Sequence, residues 1–168
     1  MINKIGFGGG CHWCTEAVFS ALRGVHSVGQ GWIASDGENE NFSEGVLVDF
    51  DPEIISLEIL VAIHLHTHSS TSEHSMRGKY RSAVYVFSET EVQPVSKIIA
   101  SLQKDFDSTI VTKVLIFKDF KLNREDSLNY YFNGPEKPFC ENYINPKLKM
   151  LLKNFSNFMY LEKLTHLK

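Results

Sequence analysis

The chain has 168 residues, 43% hydrophobic and 22% charged, which suits one domain burying roughly 70% of its unfolded surface. A net charge of −3 argues against a nucleic-acid or membrane-surface binder, and no apolar run reaches membrane length. Three cysteines are an odd count, unsuited to a static disulfide framework, so they are expected to be cytoplasmic thiols with chemistry or plain core residues.

Met1–Lys4 leads directly into a short apolar run, Ile5 and Phe7, without the hydrophobic stretch of a signal peptide. That run reads as a strand and feeds Gly8-Gly9-Gly10. Apolar residues at Ala17, Val18, Ala21 and Leu22 then give helical spacing, which places Cys11 at the first turn of a helix. Gly24–Val28 and Gly29–Ile33 predict a second strand. A polar loop, Ser35–Asn41, precedes a third, Glu44–Phe50. Asp51-Pro52 ends it, and Ser56 is the expected N-cap of a helix over Leu57–His68. Ser69–Lys79 is polar and irregular, Tyr80–Phe87 a fourth strand, and Thr90–Leu102 a third helix with Pro94 in its opening turn. Thr109–Phe117 predicts a fifth strand, Glu125–Phe132 a short helix, and Pro146 to about Leu161 a final one. The order β-α-β-β-α-β predicts an α+β, ferredoxin-like (split βαβ) two-layer sandwich with a C-terminal helical and loop extension, one domain over 1–168.

Cys11-x-x-Cys14 carries the chemistry. Free N–H groups at a helix start stabilise a thiolate, and a glycine loop lets backbone approach a ligand. The pair admits a thioredoxin-like dithiol, half of a zinc site, or a nucleophile Cys11 with Cys14 one turn along the helix. His64 and His68, at i and i+4, share a helix face while His66 points away. With Cys11 and Cys14 they are candidate zinc ligands; the favoured reading is a metal-free polar cluster at the pocket mouth that also engages His12.

Gly10-Cys11-His12-Trp13-Cys14-Thr15-Glu16 resembles the Gly-Cys-Phe-Trp-x-x-Glu signature of the A-type peptide methionine sulfoxide reductases. Asp51-Pro52 with Ile55-Ser56 and Leu60, then His68, then Tyr80-Arg81-Ser82-Ala83-Val84-Tyr85, are similar to further blocks of that family in the same order. Phe139-Cys140 followed by Asn145-Pro146-Lys147-Leu148 resembles the region that carries its recycling cysteine.

The resemblance implies reduction of methionine S-sulfoxide, protein-bound or free, with Cys11 attacking the sulfoxide sulfur. It implies Glu44, seven residues before Asp51, as the acid for the leaving oxygen, a role that partial burial would serve. Tyr80 is implied to bind that oxygen, with His12, Trp13 and His68 around the substrate. Cys140, in a Pro- and Gly-flanked loop, is the expected resolving thiol, with Cys14 as the alternative. No metal or organic cofactor is implied, only an external dithiol such as thioredoxin or dithiothreitol, and the protein is expected to be a monomer. Departures from the pattern are His12 for phenylalanine, a short Gly31–Glu44 loop without the usual tyrosine, Ser69-Ser70 for Asp-Pro, and no equivalent of an aspartate before Tyr80. A general dithiol–disulfide oxidoreductase using Cys11 and Cys14, and a zinc-held non-catalytic module, are the competing readings.

Overall fold

The computed structural model describes residues 1–167. β1 (Asn3–Gly8), β2 (Val25–Ala34), β3 (Ser43–Phe50), β4 (Ala83–Val86), β5 (Lys113–Ile116) and β6 (Asp119–Leu122) form one sheet in the order β5-β4-β1-β3-β2-β6. Its centre, β4-β1-β3-β2, is antiparallel throughout and is the split βαβ arrangement expected. A parallel strand, β5, extends it beyond β4, and an antiparallel one, β6, extends it beyond β2.

Helices α1 (His12–Ser20), α2 (Leu57–Thr67), α3 (Val92–Leu102) and α4 (Asn145–Asn154) complete the fold. Alternation along the strands sends Ile5, Phe7, Val46, Val48, Phe50, Val84 and Val86 into one core with the apolar faces of the helices. Phe7 stacks on Phe19 of α1 at 4.5 Å between ring centroids, tying the central strand to the helix that carries the cysteines. On the other face Ile33, Ala83 and Tyr85 make a smaller cluster with Leu47, Leu115, Phe117 and Phe120. α2 begins as expected, the Ser56 side chain accepting a hydrogen bond from Ile59 N at 3.2 Å.

Several elements differ from expectation. β4 starts at Ala83, because the chain before it bonds to Ser43: Ser43 Oγ donates to Lys79 O at 2.9 Å and accepts from Arg81 N at 2.7 Å. The helix expected over Glu125–Phe132 is only a 3₁₀ turn, Glu125–Ser127. Asn129 then takes a positive φ of 54°, while Glu16 captures the N–H groups of Asn129 (2.8 Å) and Tyr130 (3.1 Å). α4 stops at Asn154, where the chain turns back to pair with the end of α1: Arg23 N donates to Phe158 O at 2.7 Å, and Tyr160 N to Ala21 O at 2.9 Å. Cys140 lies in no loop. It is fully buried and opens a π-helical turn, Cys140–Ile144, that runs into α4. Among the described residues no helix is long and apolar enough to cross a membrane.

Candidate active site

Cys11 is the N-cap of α1, half-buried, at the end of the Gly8-Gly9-Gly10 turn. Its thiol is held below the ordinary range, first by a hydrogen bond from the Cys14 thiol, then by the N–H groups of Trp13 and Cys14; burial and the Glu44 charge oppose them. Cys14 is pushed the other way, by donating a hydrogen bond to the Cys11 sulfur and by burial. Burial also raises the Cys140 thiol. Of the three, only Cys11 has its thiol held below the ordinary range.

An open cleft of about 530 Å³ lies over Cys11, walled by Gly9, Gly10, His68, Ser69, Tyr80, Phe139, Tyr143 and Lys147. Tyr80 and His68 line it together with Cys11. Glu44, at the start of β3, is 7% exposed. Its Oε1 accepts from His12 N at 3.1 Å and lies 3.6 Å from His12 Nε2; its Oε2 lies 3.5 Å from Lys79 Nζ. Lys79 in turn has its ammonium pKa raised first by the Tyr80 hydroxyl and then by Glu44, so one cation links the two groups expected to meet the oxygen.

His12 faces away from His64 and His68, and no cluster joins them. Its Nδ1 is 2.8 Å from Gly31 O, so that nitrogen carries the proton, and its ring meets Trp32 edge-on at 5.2 Å. Trp13 is stacked beneath Tyr130 at 4.0 Å, with Phe139 edge-on at 5.5 Å, and does not line the open cleft. Tyr130 is within electrostatic reach of all three cysteines: burial raises its phenol pKa, and the charges of Cys140, Cys11 and Cys14 add to that.

His68 supports the glycine turn. Gly9 adopts φ +153° and passes so close to the imidazole that a Cβ there would lie 2.4 Å from His68 Cδ2. Both ring nitrogens are engaged, Nδ1 donating to His64 O (2.6 Å) and Nε2 accepting from Ser82 Oγ (2.8 Å). His64 stacks on it at 4.2 Å, while His66 pairs with Asp105 at 3.5 Å on another side. Among the described residues no group of three or more His, Cys, Asp or Glu gathers with metal-ligand geometry.

Burial holds the His68 pKa down at about 4, and that of the buried His64 well below the ordinary 6.5. Both are neutral in the folded protein, so the unfolded chain binds more protons between these values. Their contribution is complete above about pH 6.5 and is lost as pH falls towards about 4. Thermal melts across that range are expected to show a monotonic fall in midpoint on acidification. A flat profile would contradict the buried neutral pair.

The sequence placed Glu16 in the signature around Cys11 without assigning it a role, and Arg77, Lys79 and Tyr130 were not singled out as parts of this region. Lys79 adjoins Tyr80 and could have been singled out. The others act through contacts across the fold, such as Gln30 Nε2 donating to Glu16 Oε1 at 3.0 Å, which no local pattern announces.

The family model described as peptide methionine sulfoxide reductase matches residues 3–158. Peptide methionine sulfoxide reductase MsrA of Psychrobacter cryohalolentis is 31% identical, over 94% of this chain and 99% of the relative. The crystal structure of Mxr1 from Saccharomyces cerevisiae in reduced form is similar in fold, with a TM-score of 0.70 and 20% identity over 83% of this chain and 89% of that one. Mxr1 in complex with Trx2 matches with a TM-score of 0.58 and 21% identity, over 75% and 83%.

Proposed function

The chain belongs to the peptide methionine sulfoxide reductase family and reduces methionine sulfoxide by thiol chemistry; on that premise we propose how its residues divide the work. The observation that carries the assignment is Cys11 itself. A cysteine at a helix N-cap, with the Cys14 thiol and two backbone N–H groups aimed at its sulfur, opens on a cleft shared with Tyr80. The Cys11 thiolate attacks the sulfoxide sulfur. Tyr80 holds the oxygen, and the Glu44 carboxyl delivers a proton to it as the sulfur–oxygen bond breaks. Oxygen is transferred from the methionine sulfur to Cys11, leaving methionine and a Cys11 sulfenic acid. The Cys140 thiol then attacks that sulfur, water departs, and a Cys11–Cys140 disulfide forms. An external dithiol reduces the disulfide; the Trx2 complex of the fold relative Mxr1 supports a thioredoxin in this role. The S epimer is the substrate, in a reducing cytoplasm where three free thiols persist.

Cys140 is fully buried on a helical turn packed against α1, so resolution requires that turn to open. The segment is poised for it: Glu136-Lys137-Pro138 precedes it, and a π-helical turn interrupts regular helix bonding. One turnover with a methionine-sulfoxide peptide and no reductant tests this. The expected products are one methionine per chain and a Cys11–Cys140 disulfide. Cys140→Ser should give the same methionine and a Cys11 sulfenic acid that dimedone traps. A Cys11–Cys14 disulfide in the wild type would move the resolving role to Cys14.

A further inference from the structure

Three of the chain segments that wall the cleft are the glycine turn before Cys11, the loop after α2, and the residues around Tyr80. One side chain joins them. Arg77 Nη1 donates to Gly9 O at 3.0 Å and to Tyr80 O at 2.9 Å. Its Nη2 donates to Ser69 O at 2.5 Å and its Nε to Ser72 O at 2.9 Å. Four of its five N–H bonds are spent on backbone carbonyls, and Arg77 forms no ion pair within 4.0 Å among the described residues.

This use is unlike a surface arginine. Carbonyls of a short irregular loop have no ladder partner, and a planar fork with fixed donor angles fixes their relative positions. The loop it binds, Ser69–Ser72, holds the Ser69-Ser70 pair that departs from the Asp-Pro of the family pattern. Gly9 and Tyr80 precede and include the two groups that must meet across the sulfoxide.

We propose that Arg77 is a positioning residue for sulfoxide reduction: it ties Tyr80 to the Gly9 turn and so sets the phenol against Cys11. The proposal rests on the roles given above to Cys11 and Tyr80. Arg77 does not line the cleft over Cys11 and acts through Tyr80.

A double-mutant cycle tests it. Arg77→Ala is expected to lower kcat by about 30-fold with little change in KM, the scale of a displaced reacting group. In a Tyr80→Phe background the same change should cost no more than about twofold, because the group it positions is already gone. Alkylation of Cys11 by iodoacetamide should change by less than about threefold in Arg77→Ala, since its hydrogen-bond donors lie on α1. Arg77→Lys, which keeps the charge without the fork, should recover little of the lost kcat and covers the case in which the alanine variant does not fold. Equal losses in both backgrounds, or full activity of Arg77→Lys, would overturn the proposal and leave the reductase reading intact. A folded wild type that reduces no methionine sulfoxide would overturn both.

Discussion

Cys11→Ser is expected to lose methionine sulfoxide reduction entirely, a fall of about 10⁴-fold or more. The donors around position 11 stabilise a sulfur anion: the Cys14 thiol and the N–H groups of Trp13 and Cys14. A serine hydroxyl stays protonated in the same setting, and oxygen has neither the nucleophilicity towards a sulfoxide sulfur nor the ability to hold its oxygen as a sulfenic acid. The same residue should show itself without substrate. Wild-type protein treated briefly with iodoacetamide near neutral pH should carry one fast label, on Cys11, because the thiols of Cys14 and Cys140 are both raised. Peptide mapping checks this. Fast labelling that survives Cys11→Ser would place the reactive thiol elsewhere.

Glu44→Gln should reduce kcat by about 10²- to 10⁴-fold, the usual range for a general acid. The amide keeps the shape of the side chain and can still accept from His12 N, so the strand and the first turn of α1 have no reason to move. What it lacks is a proton to give to the departing oxygen. Its effect on Cys11 should be small and favourable, since the Glu44 charge opposes the thiolate. Fast alkylation with slow reduction is therefore the expected combination, and it separates two chemistries. A dithiol–disulfide oxidoreductase built on Cys11 and Cys14 has no oxygen to protonate and would be indifferent to the change. Steady-state kinetics and alkylation rates on one preparation decide between them.

The parts of this site visible in the sequence are those written in short local patterns. Three glycines followed by Cys11 and apolar helical spacing place the thiol at a helix start, and the structure has it as the N-cap of α1. The split βαβ order was likewise legible, because each of its strands alternates or runs apolar between turn residues. β6 was missed: Asp119–Leu122 is four residues at a sheet edge, mostly exposed, and exists as a strand through pairing with β2. Cys140 misled in the opposite sense. Gly134, Pro135 and Pro138 suggested a mobile loop, yet Cys140, Ile144, Leu148 and Leu151 fall at helical spacing and all reach the core. The covering of Trp13 by Tyr130 and Phe139 is set by Glu16, whose carboxylate holds the backbone at Asn129 and Tyr130 from more than a hundred residues away in sequence. Contacts of that kind, like the four carbonyls bound by Arg77, leave no periodic trace.

Turnover of the two separated epimers of a methionine-sulfoxide peptide with dithiothreitol decides whether Cys11 in this cleft reduces one epimer of methionine sulfoxide. Wild-type protein is expected to reduce the S epimer steadily and the R epimer not at all, and Cys11→Ser to reduce neither. A folded, fully reduced wild type that leaves both epimers untouched, or that reduces the R epimer instead, would contradict that expectation.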